Sequence, residues 1–373
     1  MSYDQPSNFL PSLADAFEAG AIRYFWPLAV ILLLLTIEFN GVGLVPPEHY
    51  QKFAQHPFVT RDDIAPMNEW QDSILLPLAA FWMGATGRVS FNALCVGMLL
   101  IGYAIFLAAS KRRTGQPEAL LLFILLLGHP VTAILWMWIG MPDAFSFICV
   151  VLALFVRSRL LLLLLASVSM LNHPAGVIAM GNVVMLRLAA REDKITLIHC
   201  GLVLAGGLVG GVAVHVFTDY HHILVRSRLE YALGMSVEHW LQFNLSMLPS
   251  ALFSFQQTVW FVLAILALMV ARKDPMYFRL FGAILIVSYG ITFFTLDTTR
   301  VFVLLTWGAT FHAISHGLAL NRREYRELDA KTVLGAIEAF AITGLLIPRF
   351  YIWGGKIFRT PFDTTVEMIR HIF

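Results

Sequence analysis

Between Tyr24 and Asn40 the chain reads YFWPLAVILLLLTIEFN, with Glu38 its only charge. A run this apolar cannot be left in water, and it is close to the ~20 residues that carry a helix across a bilayer. Because a lipid-facing backbone must satisfy its own polar groups, such a run is a helix. Similar runs recur along the whole chain, at 90–110, 119–139, 142–156, 160–172, 175–190, 196–216, 250–271, 277–296, 301–319 and 332–348. The fold class expected is therefore all-α: a polytopic integral membrane protein of about eleven transmembrane helices, forming one domain over 1–373. Composition agrees, since 58% of the 373 residues are hydrophobic and only 13% are charged. Ile74–Gly84 is apolar but too short to cross, and reads as an interfacial or re-entrant helix.

Lys and Arg set the orientation. KRR (Lys111–Arg113), RSR (Arg157–Arg159), RLAAREDK (Arg187–Lys194), ARK (Ala271–Lys273) and NRREYRELDAK (Asn321–Lys331) fall on every second connection. The positive-inside tendency puts these clusters and the N-terminus in the cytoplasm, and the chain in a membrane such as a bacterial inner membrane. Outside lie 41–89, 217–249 and the tail 349–373. All histidines but His199, His312 and His316 then fall on the outer side, His371 among them. His312 and His316, four apart on one helix face, read as packed or interfacial. Met1–Gly20 is polar or amphipathic, unlike a cleavable signal. Cys95, Cys149 and Cys200 sit in apolar segments without CxxC spacing, so neither a disulfide frame nor a metal site is expected. A net charge of +2 and no basic, aromatic-laced patch argue against nucleic acid. No cofactor-binding glycine loop or HExxH motif is present.

Against this background the polar residues inside apolar runs need a reason, because a charge at mid-bilayer costs about 2.5–3.5 kcal/mol or more. GHPVTAILWMWIGMPDAF (Gly128–Phe145) holds His129 and Asp143, and LNHPAGV (Leu171–Val177) holds Asn172 and His173. The stretches 125–134 and 169–178 echo one another around His-Pro. Each proline breaks the helix ladder. Either the breaks are kinks whose histidines are satisfied by a carbonyl, or His129, Asn172 and His173 surround a polar ligand head. Asp143, after Pro142, is either a favourable charge at a helix N-terminus or an acid facing a shared cavity. FTLDTTRVFVLLTWG (Phe294–Gly308) sets Asp297 and Arg300 three apart at the junction of two spans. They close the turn as a local pair, or Arg300 offers its planar fork to a phosphate with Asp297 orienting it.

The first outer segment is acidic, with Glu48, Asp62, Asp63, Glu69 and Asp72 following Glu38. Glu69 and Asp72 are three apart on one helix face, and Trp70 reads as an interfacial anchor. In 217–249, Tyr220, His221, His222, Arg226 and Arg228 cover a site or lie on the lipid.

An inside start, an acidic first outer loop, about eleven spans and polar outer junctions resemble the GT-C superfamily of membrane glycosyltransferases. QDSILLPLAAFWMG, GHPVTAILWMWIGMPDAF, NHPAG and DTTRVF are similar in style to small bacterial GT-C-like or exopolysaccharide-assembly proteins. The resemblance implies a sugar donor on polyprenyl phosphate and a lipid-linked or polysaccharide acceptor, with membrane lipid and partner subunits around the site. It implies a first-loop carboxylate as general base, Asp72 ahead of Glu69 and Glu38. It also implies a phosphate-holding group at an outer helix end, Arg300. Two features depart from the family: there is no large soluble outer domain, and only Glu38 stands at the end of the first span. The competing expectation is a non-catalytic transporter or assembly subunit of a polysaccharide or lipid-precursor machine.

Overall fold

The computed structural model describes residues 9–42, 48–61, 69–225, 234–324 and 327–360. Of the residues singled out above, Asp62, Asp63, Arg226, Arg228 and His371, and the side chains of Glu48, Glu69 and Trp70, lie outside that set. The protein is an all-α membrane protein with one small hairpin. The helices are α1 (Phe9–Asn40), α2 (Glu48–Gln55), α3 (Leu75–Trp82), α4 (Arg88–Thr114), α5 (Gln116–Gly128), α6 (Pro130–Met137), α7 (Asp143–Phe155), α8 (Arg159–Asn172) and α9 (Pro174–Ala189). They continue as α10 (Leu197–Tyr220), α11 (Val237–Gln256), α12 (Val259–Val270), α13 (Pro275–Thr292), α14 (Thr298–Glu324) and α15 (Glu327–Leu346). Strands β1 (Phe350–Trp353) and β2 (Lys356–Arg359) follow.

Among the described residues, five helices are long and apolar enough to cross a membrane: α1, α4, α10, α13 and α14. The number rises to seven if the bent pairs α5–α6 and α11–α12 each count once. Helices α7, α8 and α9 have 13, 14 and 16 residues, short of an independent span. Helix α14 is the centre. Of its apolar window 83% is buried, against 22–39% for the other four long helices. It packs on α9, α12, α13 and β1, while α1 flanks it with α5 and α15. The outer helices turn apolar side chains outward: Leu204, Leu208 and Val212 on α10, and Val30 and Leu34 on α1, are mostly exposed. That surface suits lipid, not water.

Two apolar runs are broken rather than continuous, at 119–139 and 250–271. The first break follows from sequence. A residue before proline is held in the extended region, and proline itself fits the first helical position. His129 (φ −80°, ψ 146°) and His173 (φ −168°, ψ 128°) both take that conformation. In both, ring Nδ1 accepts the N–H two residues on, Val131 at 3.1 Å and Ala175 at 3.2 Å. The His-Pro echo is thus one device used twice: proline ends the ladder and histidine caps the next helix. At His129 the turn is 56°. The 77° break between α11 and α12 has no proline at the joint; it passes through Gln257, at φ 48°. The hairpin in the tail was not expected. Its turn uses Gly354 and Gly355 at φ 55° and 72°, the mirror-image turn that matches strand twist.

Where α8 meets α10, small residues let backbones touch. A Cβ on Gly206 would lie 2.4 Å from the Leu163 carbonyl, and one on Gly210 2.4 Å from that of Ser167. The four-residue spacing puts both on one helix face, the arrangement that drives association in lipid, where burial of oil against oil gains little. Gly210→Val is expected to destabilise the protein by about 1–3 kcal/mol. Thermal unfolding in detergent checks it, with Gly201→Ala, a site with open space, as the neutral control.

Candidate functional site

Call the end of the bundle that gathers Arg113, Arg187 and Arg322 the basic end. At the opposite end, Asp143, Asp297, Trp138 and, through Asp297, Tyr351 meet on Arg300, in the first turn of α14. Its Nε donates to Asp143 Oδ2 at 2.7 Å and its Nη2 to Asp143 Oδ1 at 3.0 Å, a two-pronged pair across 157 positions of sequence. Its Nη1 donates to Asp297 Oδ2 at 3.1 Å. The guanidinium also lies over the Trp138 ring, 4.9 Å from its centre. Tyr351, on β1, donates its hydroxyl to Asp297 Oδ1. Asp143 is 1% exposed at its side chain, while Arg300 and Asp297 reach 12% and 15%. The cluster of one cation and two carboxylates therefore has a closed side and an accessible side. Burial pushes the Asp297 carboxyl above its usual range, and Arg300 pulls the other way.

Local structure explains the placement. Asp143 opens α7, where an acid is favoured by the helix dipole. Asn172 Nδ2 donates to the Pro142 carbonyl at 2.7 Å and to Ser146 Oγ at 3.0 Å, which ties the α8–α9 break to that same turn. The hairpin is pinned by Ile352 N donating to Thr299 Oγ1 (2.9 Å) and Gly354 N donating to the Leu296 carbonyl (2.9 Å).

A second polar layer lies deeper along α14, six residues or about 9 Å further on. There His129 Nε2 pairs with Gln256 Oε1 at 2.7 Å, and Gln256 Nε2 donates to Thr306 Oγ1 (3.4 Å) and Thr310 Oγ1 (3.1 Å). Since His129 Nδ1 already accepts from Val131, its proton sits on Nε2 and goes to the glutamine. Both nitrogens are engaged and the ring is fully buried, so His129 ties helices together here and does not face a ligand.

The structure therefore gathers Asp143, Asn172, Asp297 and Arg300, with His173 next in chain to Asn172 and His129 a layer below. Of the first-loop acids, the described Glu38 and Asp72 do not touch Arg300, and the Glu69 side chain lies outside the described set. Arg300 is held by Asp143, Asp297 and Trp138, not by Glu38 or Asp72. Glu38 sits exposed on the last turn of α1. Asp72 ends a short 3-10 turn that Glu69 begins, and accepts from Ser73 Oγ at 3.2 Å. Tyr351, Trp138, Gln256, Thr306 and Thr310 were not anticipated. Only Trp138 had a cue, three residues after Leu135 and four before Pro142 in a stretch already conspicuous.

The basic end has its own network. Glu192, in the α9–α10 link, receives Arg113, Arg187 Nε (2.9 Å) and His312 Nε2 (2.8 Å). Arg187 also donates to the carbonyls of Ala153 (2.7 Å) and Val156 (2.6 Å), capping the C-terminal turn of α7. Tyr277 meets His312 Nδ1 at 2.7 Å, and His316 meets Asp274 at 3.1 Å. Two cavities of about 550 Å³ each open beside these residues. Among the described residues, no group of three or more His, Cys, Asp or Glu could hold a metal ion. No family model, curated protein or solved structure matches the chain.

Two outcomes are expected. Removing one partner of the Asp143–Arg300 pair strands a buried charge and should cost about 3–5 kcal/mol. The double variant Asp143→Asn, Arg300→Gln should cost less than the two singles together, read by thermal unfolding in a double-mutant cycle. At the basic end, His312, Arg113 and Arg187 hold the Glu192 carboxyl well below its usual 4.5, outweighing burial. A depressed carboxylate stabilises the fold above its unfolded pKa, and that contribution is lost as pH falls below 4.5. Protection against hydrogen exchange across 186–200, corrected for the slower intrinsic exchange in acid, should fall on acidification from pH 6 to pH 3, and Glu192→Gln should have the lower protection already at pH 6.

Proposed function

We propose that the protein is a glycosyltransferase of the GT-C type that moves a sugar from a polyprenyl-phosphate donor to a lipid-linked or polysaccharide acceptor. In this reading the basic end and N-terminus face the cytoplasm of a bacterial inner membrane, and the Arg300 cluster faces the outer leaflet. The chain makes eleven passes, with α5–α6 and α11–α12 as single bent passes and α7, α8 and α9 as short ones. The observation that carries the proposal is the accessible Asp297–Arg300 edge set against the closed Asp143. A sugar hydroxyl is a poor nucleophile until a carboxylate takes its proton, and a departing phosphate needs a cation. Asp297 and Arg300 supply one of each within hydrogen-bonding distance.

The roles divide by exposure. Asp143 is the positioning residue: its two-pronged grip keeps Arg300 aimed while Nη1 exchanges Asp297 for a donor phosphate oxygen. Asp297, released from Arg300, takes the proton as the acceptor oxygen bonds to the anomeric carbon. The bond from that carbon to the phosphate oxygen breaks, its electron pair leaves on the phosphate, and the anomeric configuration inverts. Trp138 offers an aromatic face beside the cation. This moves the base from the first-loop acids, Asp72, Glu69 and Glu38, to a residue in contact with the phosphate-binding arginine.

A second reading, a transport or assembly subunit, draws support from the polar residues that continue along α14 to His312, His316 and the basic-end cavities. Against it, Thr310 and His312 are about 200° apart around the helix, and Phe311 packs on His129 and Phe106 between them.

Purified protein in lipid nanodiscs with radiolabelled short-chain polyprenyl-phosphate sugars tests the proposal. Turnover is expected, reduced about 10²–10⁴-fold by Asp297→Asn and abolished by Arg300→Ala, with Asp72→Asn active. Activity lost in Asp72→Asn but kept in Asp297→Asn would return the base to the first loop. No turnover by folded wild type with any donor, alongside flux of a lipid-linked sugar across vesicles, would replace catalysis by transport.

A further inference from the structure

One of the basic-end cavities has a chemistry that the proposed transfer does not use. It lies among α1, α5, α14 and α15, and its polar lining comprises Glu18, Thr114, Glu118, Asn321, Arg322, Lys331 and Glu338. Three of these charges have partners close by: Arg322 meets Glu118, whose oxygens have that cation but no hydrogen-bond donor among the described residues, and Lys331 Nζ lies 2.9 Å from Asp15. Glu338 has no ion-pair partner among the described residues. It is 2% exposed, and its Oε2 has no hydrogen-bond donor among them. Asn321 is also 2% exposed. Its Nδ2 donates to the Ala330 carbonyl at 3.3 Å, which fixes the amide the right way round and leaves Oδ1 as a second buried acceptor without a donor.

Two stranded acceptors, one of them a carboxylate, in a cavity of about 550 Å³ describe what is missing: a positive charge that carries N–H bonds. A metal ion is the wrong shape for the site, since no three acidic or metal-ligating side chains converge there among the described residues. A quaternary ammonium brings charge without donors. A primary ammonium brings one charge and three donors. We propose that this cavity binds a primary ammonium group, carried by an aminophospholipid headgroup or by a soluble amine, with Glu338 and Asn321 as its acceptors. Glu18, exposed at the cavity's rim, adds a second carboxylate to draw the cation in. Leu121, Leu318 and Leu334 line the same space and suit the less polar remainder of a lipid. The cavity falls within the volume range of small-molecule sites. The site depends on neither the outer cluster nor the transferase reading.

The test uses the full chain in nanodiscs of phosphatidylcholine alone, with added phosphatidylethanolamine of the same acyl chains, or with soluble ethanolamine. Lipid retention is read by native mass spectrometry and the unfolding midpoint by thermal melting. Phosphatidylethanolamine should be retained in preference to phosphatidylcholine and should raise the midpoint. Glu338→Gln, which keeps the shape and removes the charge, should lower retention by roughly tenfold. Glu18→Gln, at an exposed position that folding does not depend on, should lower it more weakly. A midpoint raised by soluble ethanolamine in phosphatidylcholine discs assigns the ammonium to a soluble amine and keeps the site. Equal retention of the two lipids with no response to ethanolamine overturns the proposal. So does wild-type retention in both variants, or a preference for phosphatidylglycerol over phosphatidylethanolamine.

Discussion

Asp143 is a carboxylate that the bundle closes over, and Arg300 is what makes that closure tolerable. An ionised acid taken out of water loses far more than a helix dipole returns, so α7 can begin in this place only if a cation arrives from elsewhere in the chain. The cation comes from the first turn of the most buried helix, and it arrives with a fork that matches both carboxylate oxygens. Because that geometry is demanding, it fixes α14 against α7 in rotation and in height. The hairpin after α15 then docks on the same point through Tyr351 and Thr299. Much of the opposite end of the bundle is thereby referenced to one guanidinium.

The same helix is tied at two further levels, and the three ties differ in kind. The tie at the Arg300 end is ionic and partly open. The middle tie, His129 to Gln256 to Thr306 and Thr310, is neutral and buried. The third, at the basic end, is ionic again and rests on Glu192. Lipid gives helices little reason to choose one neighbour over another by hydrophobicity alone, so polar ties and close backbone contacts must supply the register. The glycine face of α10 against α8 performs the second of these tasks at the periphery.

What could be read in the sequence follows from the range of the physics involved. Hydropathy is local, so the long spans and the short apolar α3 were visible in the order of residues. Proline acts on its immediate neighbours, so the breaks at His129 and His173 were visible too; that each ring accepts an N–H of the helix it precedes was not. The break at Gln257 was not, because it is imposed by packing and carries no proline or glycine at the joint. Asp297 and Arg300 were visible as a pair since they are three residues apart. The pairing of Arg300 with Asp143 was not, because periodicity contains no information about contacts across 157 positions. For the same reason Glu192 looked like one charge in a basic loop when it is the acceptor for three cationic or imidazole groups. The first-loop acids differ again: a resemblance in layout singled out Asp72 by analogy, and the contacts of Arg300 bring two other carboxylates, Asp143 and Asp297, to notice.

The division of exposure within the outer cluster also limits which chemistry it can perform. A guanidinium gripped on every side would be purely structural, and one gripped on none would be free to take any anion. Arg300 is between these. Asp143 occupies the two nitrogens on its closed side, so any incoming anion must compete with Asp297 alone for the third. The competition is graded by charge: a phosphate carries at least as much negative charge as the carboxylate it displaces, whereas a neutral sugar or a lipid ester carries none. A displaced Asp297 keeps its bond to Tyr351 and stays close, now without its counter-charge and already biased by burial towards holding a proton. In the proposed transfer, binding the anion and readying the base are then a single exchange at one nitrogen, and an acceptor hydroxyl meets a competent carboxylate only when the phosphate is in place.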